Sequence, residues 1–249
     1  MADQARNVAP YAGTDNASDA AGPWNTREMS SVARGMGSGP SFAIATASSR
    51  RLSEDRAEVF PIGESIVVVV ADGAGGVRGG AMASNAVVEA VRAKVASAPL
   101  DLYDMEDWFR VFRAVDADLA RSPTGGETTA VVIVVGPRGL AGVSAGDSEA
   151  WLVGDGVDTL TEGQDRARLG TGRARSTSFR RHAPQGLLVV ATDGLFKAAR
   201  SESIVACCAG DDVAGIAKGL VELPRLPSGA YADDVAVVVV GGEAGSKSG

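Results

Sequence analysis

Histidine and cysteine are almost missing from this chain. Its 249 residues include one histidine, His182, and two cysteines, the adjacent Cys207 and Cys208. Neighbouring cysteines suit neither an ordinary disulfide nor a Cys-x-x-Cys metal clip, so they read as buried helix residues. No His-Glu-x-x-His pair, cysteine cluster or Gly-x-x-x-x-Gly-Lys-Ser/Thr loop occurs, which weakens zinc-protease, iron–sulfur and nucleotide-hydrolase readings. Positive charge is also in deficit: 24 Lys and Arg against 31 Asp and Glu give a net charge of −7. That balance opposes nonspecific binding to nucleic acid or anionic membrane, both of which need basic patches. Apolar runs are strand-sized, far short of the roughly 18 residues of a membrane span. The first six residues, Met1 to Arg6, lack the basic start and apolar stretch of a secretory signal, so a cytoplasmic protein is expected.

What the chain does have is carboxylates at the ends of apolar runs. Ile66 to Val70 stops at Asp72-Gly73-Ala74-Gly75-Gly76. Leu140 to Ala145 leads to Gly146-Asp147-Ser148, Leu187 to Ala191 leads to Thr192-Asp193-Gly194, and Asp233-Asp234 precedes Val235 to Val240. Carboxylates that converge repel one another unless cations neutralise them, and ligation by oxygen alone selects Mg²⁺ or Mn²⁺. A multinuclear metal site is therefore expected. Asp72 is the candidate bridge between two cations, and the Gly73 carbonyl is a further ligand. Asp193 and Asp233 would serve the first cation, Glu54 or Asp55 the second, and Asp147 a more peripheral position.

The pattern predicts an arm over residues 1–38 in which Trp24 is the one candidate anchor, a catalytic domain over 39–243 and a flexible tail over 244–249. A strand is expected at Phe42 to Thr46, followed by a polar turn. Val87, Val88, Val91 and Val95 share a helix face, with Pro99 closing the segment. Asp104 can cap a second helix whose apolar stripe is Trp108, Val111, Phe112, Val115 and Leu119. Strands follow at 129–136, 139–146, 149–153, 186–192 and 235–240, with helices at 200–208 and 211–221. Gly163 to Ala183, rich in Arg, reads as a long surface loop. Clustered strands with paired helices favour packed sheets under outer helix layers.

Five blocks in order resemble the metal-dependent protein serine/threonine phosphatases, the type 2C or PPM family, from about residue 41 to 241. Arg50 through Glu54-Asp55 is similar to the family's Arg-x-x-x-Glu-Asp start, and Asp72-Gly73-Ala74-Gly75-Gly76 to its Asp-Gly-x-Gly-Gly turn. Gly126 to Ala130 with Gly146-Asp147-Ser148, then Thr192-Asp193-Gly194-Leu195, then Asp233-Asp234-Val235 resemble the remaining blocks. The resemblance implies an α+β fold, a four-layer α-β-β-α sandwich of two mainly antiparallel sheets flanked by helices. It implies hydrolysis of phosphoserine or phosphothreonine in proteins by a water between two Mn²⁺ or Mg²⁺ ions, Asp147 as ligand of a weaker third ion, and Arg50 on the phosphoryl oxygens. A phosphorylated protein substrate and a counteracting kinase are the implied partners, and the chain is expected to act as a monomer. Ala74 stands where some relatives carry a histidine, Glu149 where an Arg is common, and Lys197 where an Asp is common. The shortened stretch between Asp147 and Asp193 suggests that Arg166, Arg168, Arg173 and Arg175 face the phosphopeptide.

Two rivals remain. Gly142-Val143-Ser144-Ala145-Gly146 matches the Gly-x-Ser-x-Gly pattern of serine hydrolases, with His182 as the one available base. A noncatalytic phosphatase-like module that binds a partner is the other.

Overall fold

The computed structural model describes residues 31–35, 39–50, 52–74, 76–97, 101–182, 185–210 and 212–241. In chain order the first half holds β1 (Ser31–Gly35), β2 (Phe42–Ala47), β3 (Arg56–Ile62), β4 (Ser65–Ala71), β5 (Gly73–Ala74), α1 (Gly76–Ala96), α2 (Met105–Arg121), β6 (Glu127–Thr128) and β7 (Ala130–Gly136). The second half holds β8 (Gly139–Ala145), β9 (Glu149–Val153), β10 (Val157–Thr159), β11 (Thr177–Arg181), β12 (Leu187–Ala191), α3 (Asp193–Ala198), α4 (Ser201–Cys207), α5 (Val213–Glu222) and β13 (Val235–Val240). One sheet runs β1-β2-β13-β12-β9-β10, and the other β11-β8-β7-β4-β3. Every pairing within them is antiparallel.

Three apolar layers explain why the central strands are unbroken valine runs rather than alternating ones. Along β4, Ile66, Val68 and Val70 face the other sheet, while Val67 and Val69 pack under α1 and α2. Along β13, Val238 and Val240 face between the sheets, and Val235, Val237 and Val239 pack with α5 and α3. Each central strand is thus covered on both faces, and period-two patterning disappears. The result is the expected α-β-β-α sandwich.

Both outer layers form where their sequence patterns place them. The Asp104 carboxylate accepts from the Glu106 N–H at 3.0 Å, capping α2. Trp108, Phe112, Val115 and Leu119 then bury one stripe, and the Trp108 indole donates to the Leu102 carbonyl. On the opposite side α5 is capped by Asp212, which accepts from Ala214 and Gly215. Among the described residues no helix is long and apolar enough to cross a membrane.

Several elements depart from the expectations, among them the short strands β5, β6 and β10, which no pattern marked. Ser31–Gly35, placed in the arm, forms edge strand β1 against β2; Trp24 and the 244–249 tail lie outside the described residues. β3 escaped the sequence pattern because it is an edge strand of mixed polarity, where Pro61 can be tolerated. Thr177–Arg181, inside the expected surface loop, pairs with β8. α3 begins at Asp193, where only a turn was read. Cys207 and Cys208 lie in and just after α4, half-buried; burial raises both thiols, Cys208 to about 11.

Candidate metal centre

The acidic turns meet at one end of the sandwich because antiparallel strands deliver their ends there from both sheets. Asp72 follows β4, Asp147 lies between β8 and β9, and Asp193 opens α3 after β12. One carboxylate oxygen from each of these three lies within 4.8 Å of the others. Asp55, immediately before β3, is buried and close enough to Asp72 for each to shift the other's titration. Asp233 is exposed and stands close enough to act on Asp72 electrostatically, though it lies outside the tight trio.

Charge crowding shows in the protonation of these groups. Burial first, then Asp193, pushes Asp72 up from 3.8 to about 6, with Asp233 adding to the rise and Asp55 and Arg168 opposing it. Asp55 is raised well above its ordinary value, by burial and then by Asp72. Asp55 Oδ2 and Glu54 Oε1 are buried and accept no hydrogen bond among the described residues. Buried, unpartnered carboxylate oxygens are costly unless a cation is supplied. This donor set fits a hard divalent cation, and the residues present therefore suit Mg²⁺ or Mn²⁺.

Local backbone chemistry places Asp72. Its N–H donates to Thr129 Oγ1 at 2.9 Å, and its carbonyl accepts from the Thr129 N–H and the Thr128 hydroxyl. Thr129 Oγ1 also lies 2.6 Å from Ser148 Oγ, beside Asp147. One buried hydroxyl therefore couples the turns that carry two of the carboxylates. Replacing Thr129 with Val is expected to weaken Mn²⁺ binding about tenfold, at a cost of about 1–3 kcal/mol in stability, readable by metal titration and denaturation in parallel. Unchanged metal affinity would remove this positioning role. Gly73 is required by close approach: a Cβ there would run into the Gly80 carbonyl and press on Glu54 O. Gly194 is held likewise against the Asp234 carbonyl.

Asp234 is a separate case. Its Oδ1 accepts from Ser48 Oγ, Ser49 N and Ser49 Oγ at 2.8, 2.7 and 3.0 Å, and its Oδ2 from Glu54 N at 2.7 Å. Burial opposes its ionisation, but these donors outweigh it and hold the carboxyl below its ordinary range. Of the adjacent pair, Asp234 latches the 48–54 loop, whereas Asp233 is exposed and its Oδ1 accepts from the Asp234 N–H at 2.9 Å. Asp233 lies in a bend before β13, where no strand period separates neighbours, so the sequence carries no signal for this division.

The basic residues divide too. Arg50 is 60% exposed and pairs with Glu54 through Nη1 at 2.9 Å. Arg166, Arg173 and Arg175 are exposed, whereas Arg168 turns inward, 3.8 Å from Asp72 Oδ2 and 3.6 Å from Asp147 Oδ1. The supposed loop is anchored around it. Leu169 exchanges backbone hydrogen bonds with Thr128, and buried Asp116 accepts from Gly170 and Gly172. Lys197, one turn along α3, reaches both Asp193 and Asp147. The inward course of Arg168 and the whole role of Lys197 were missed from sequence.

Ser144 is buried within β8, pairing with Thr177, rather than on a strand-to-helix elbow. Exposed His182 follows Arg181, which pairs with Leu140 at the other end of that strand, roughly 14 Å away at about 3.4 Å per residue. The serine-hydrolase alternative is thereby removed.

No protein-family model and no curated protein matches the chain. Solved structures do. The PPM Ser-Thr phosphatase MsPP from Mycobacterium smegmatis, solved with cacodylate, is 23% identical with a TM-score of 0.67, covering 82% of this chain and 99% of its own. Serine/threonine phosphatase Stp1 from Staphylococcus aureus is 18% identical at a TM-score of 0.69, covering 84% and 98%. PstP/Ppp from Mycobacterium tuberculosis is 24% identical at 0.63, covering 87% and 98%. The fold is that of the bacterial PPM-type serine/threonine phosphatases.

Proposed function

We propose that this chain hydrolyses phosphoserine and phosphothreonine in proteins, with two Mn²⁺ or Mg²⁺ ions as cofactors. The observation that carries the reading is the convergence of Asp72, Asp147 and Asp193, with buried Asp55 behind them, in a fold shared with serine/threonine phosphatases. Asp72, Asp193, Asp233, the Gly73 carbonyl and Glu54 or Asp55 would hold the ions. Bound there, the ions supply an acidified water as nucleophile and neutralise phosphoryl charge.

The chain's own residues do the rest. Arg50 is tied to Glu54 by an exposed ion pair, which is worth little, so its fork can turn to a phosphoryl group at small cost. Arg168, which faces Asp72 and Asp147, would supply a second guanidinium, and the two would hold the phosphoryl group for in-line displacement. Ala74 has no proton to give and His182 lies at the far end of β8, so the leaving hydroxyl takes its proton from solvent. A serine/threonine kinase acting on the same protein is the counterpart this activity requires.

A phosphothreonine peptide and an aryl phosphate, assayed with Mn²⁺, test the reading. Wild type is expected to exceed Asp193→Asn and chelator-treated protein by about 10³-fold or more. Equal background rates in all three would leave a phosphatase-like binding module instead.

A further inference from the structure

We propose that the Lys197 ammonium is a built-in cation standing in for a third divalent ion at the Asp147–Asp193 edge, so that this chain works with two ions. The inference rests on the metal reading above. Its basis is the placement of charge on Asp147. Oδ2 of Asp147 faces Lys197 Nζ at 3.6 Å, and Oδ1 faces Arg168 Nη2 at 3.6 Å. Both oxygens of the carboxylate for which the resemblance implies a third ion therefore lie in ion-pair range of the protein's own cations, beyond hydrogen-bond distance, and buried Oδ1 accepts no hydrogen bond among the described residues. Lys197 also donates to Asp193 Oδ2, so one ammonium spans two carboxylates.

The placement follows from helix geometry. Lys197 is four residues after Asp193, the first residue of α3, so both lie on one face of a single turn. That turn is held from below: the Phe196 ring packs on Trp151 at 4.8 Å between centroids, and the Trp151 indole donates to Glu149 Oε2 at 2.7 Å. Glu149 and Lys197 are two of the three positions at which the sequence departs from the phosphatase pattern, the third being Ala74. The structure brings both departures to the same support of α3. An ammonium in this position repels any divalent ion approaching Asp147, and a small cation needs its carboxylate oxygens much closer than the ammonium does. Among the described residues Asp72, Asp233, the Gly73 carbonyl, Glu54 and Asp55 make no ion pair or hydrogen bond with Lys197, and Lys197 engages Asp193 through Oδ2 alone, so these groups and Asp193 Oδ1 remain for the two-ion site.

Counting bound Mn²⁺ by calorimetric titration, cross-checked by the loss of free Mn²⁺ signal in electron paramagnetic resonance, tests this without recourse to turnover. Full-length wild type, Lys197→Met, Lys197→Asp and Asp72→Asn are compared. Wild type is expected to hold about two Mn²⁺ per chain. Lys197→Met frees Asp147 and Asp193 and gains roughly one weak site, and Lys197→Asp gains the same site with about tenfold tighter binding. Lys197→Met keeps the side-chain volume, so the outcome stands even if the added carboxylate of Lys197→Asp prevents folding. Three ions on wild type, or no added ion in Lys197→Met, overturns the inference while leaving the metal reading intact. No Mn²⁺ on wild type, with Asp72→Asn indistinguishable from it, overturns both.

Discussion

Asp72→Asn is expected to abolish metal-dependent turnover and, in the presence of chelator, to make the protein more stable than wild type near pH 7.5. The two effects have one cause. Asp72 has a folded-state pKa of about 6 against an ordinary 3.8, chiefly from burial and then from Asp193. Between those values the folded chain holds more protons than the unfolded one, so stability falls as pH rises through that window. A shift of this size corresponds to about 3 kcal/mol by pH 7.5. An amide at position 72 removes that penalty, but it also removes the anion that two cations would share. Denaturation with chelator should therefore show Asp72→Asn above wild type at pH 7.5, with the advantage shrinking toward pH 4. Saturating Mn²⁺ should reverse the order at pH 7.5, because binding stabilises only the chain that retains the bridge. An Asp72→Asn protein that is equally destabilised at both pH values, or that keeps its activity, would sink this account.

Asp234→Ala should show the opposite balance, a large loss of stability whatever the metal. Four donors converge on this buried carboxylate, and they hold the 48–54 loop that carries Arg50 and Glu54. Removing one acceptor from such a set costs about 3–5 kcal/mol. The folded pKa lies below the ordinary 3.8. Its contribution is therefore complete above pH 3.8 and is lost as pH falls through the lower folded value. The gap between wild type and Asp234→Ala in chelator should accordingly be full at neutral pH and narrow in strong acid. Asp233→Ala, one residue away and exposed, should cost little stability and most of the turnover. Comparable stability losses in the two neighbours would mean that the latch and the ligand have been assigned to the wrong residues.

Much of the fold was legible in the residues themselves. Valine runs ending in Asp-Gly announce strands covered on both faces whose ends carry the polar chemistry. A strand buried on both sides cannot place a carboxylate anywhere else. The capped, striped α2 was equally plain, since Asp104 and the Trp108-to-Leu119 spacing act within a single helix. Elements at the rim were not. β1, β3 and β11 are edge strands with mixed polarity, and their conformation comes from the strand they pair with rather than from any period of their own.

By itself the sequence determined the layers, the central strands and the set of acids from which a site could be drawn, because those depend on local patterns of burial and turn chemistry. Only the tertiary structure decided which acids meet. It brought Asp72, Asp147 and Asp193 together, set Asp234 apart as a latch beside Asp233, turned Arg168 inward, and laid the exposed Lys197 across Asp193 and Asp147. Electrostatic contact depends on distances of a few ångströms between segments far apart in the chain, and no local pattern encodes those distances.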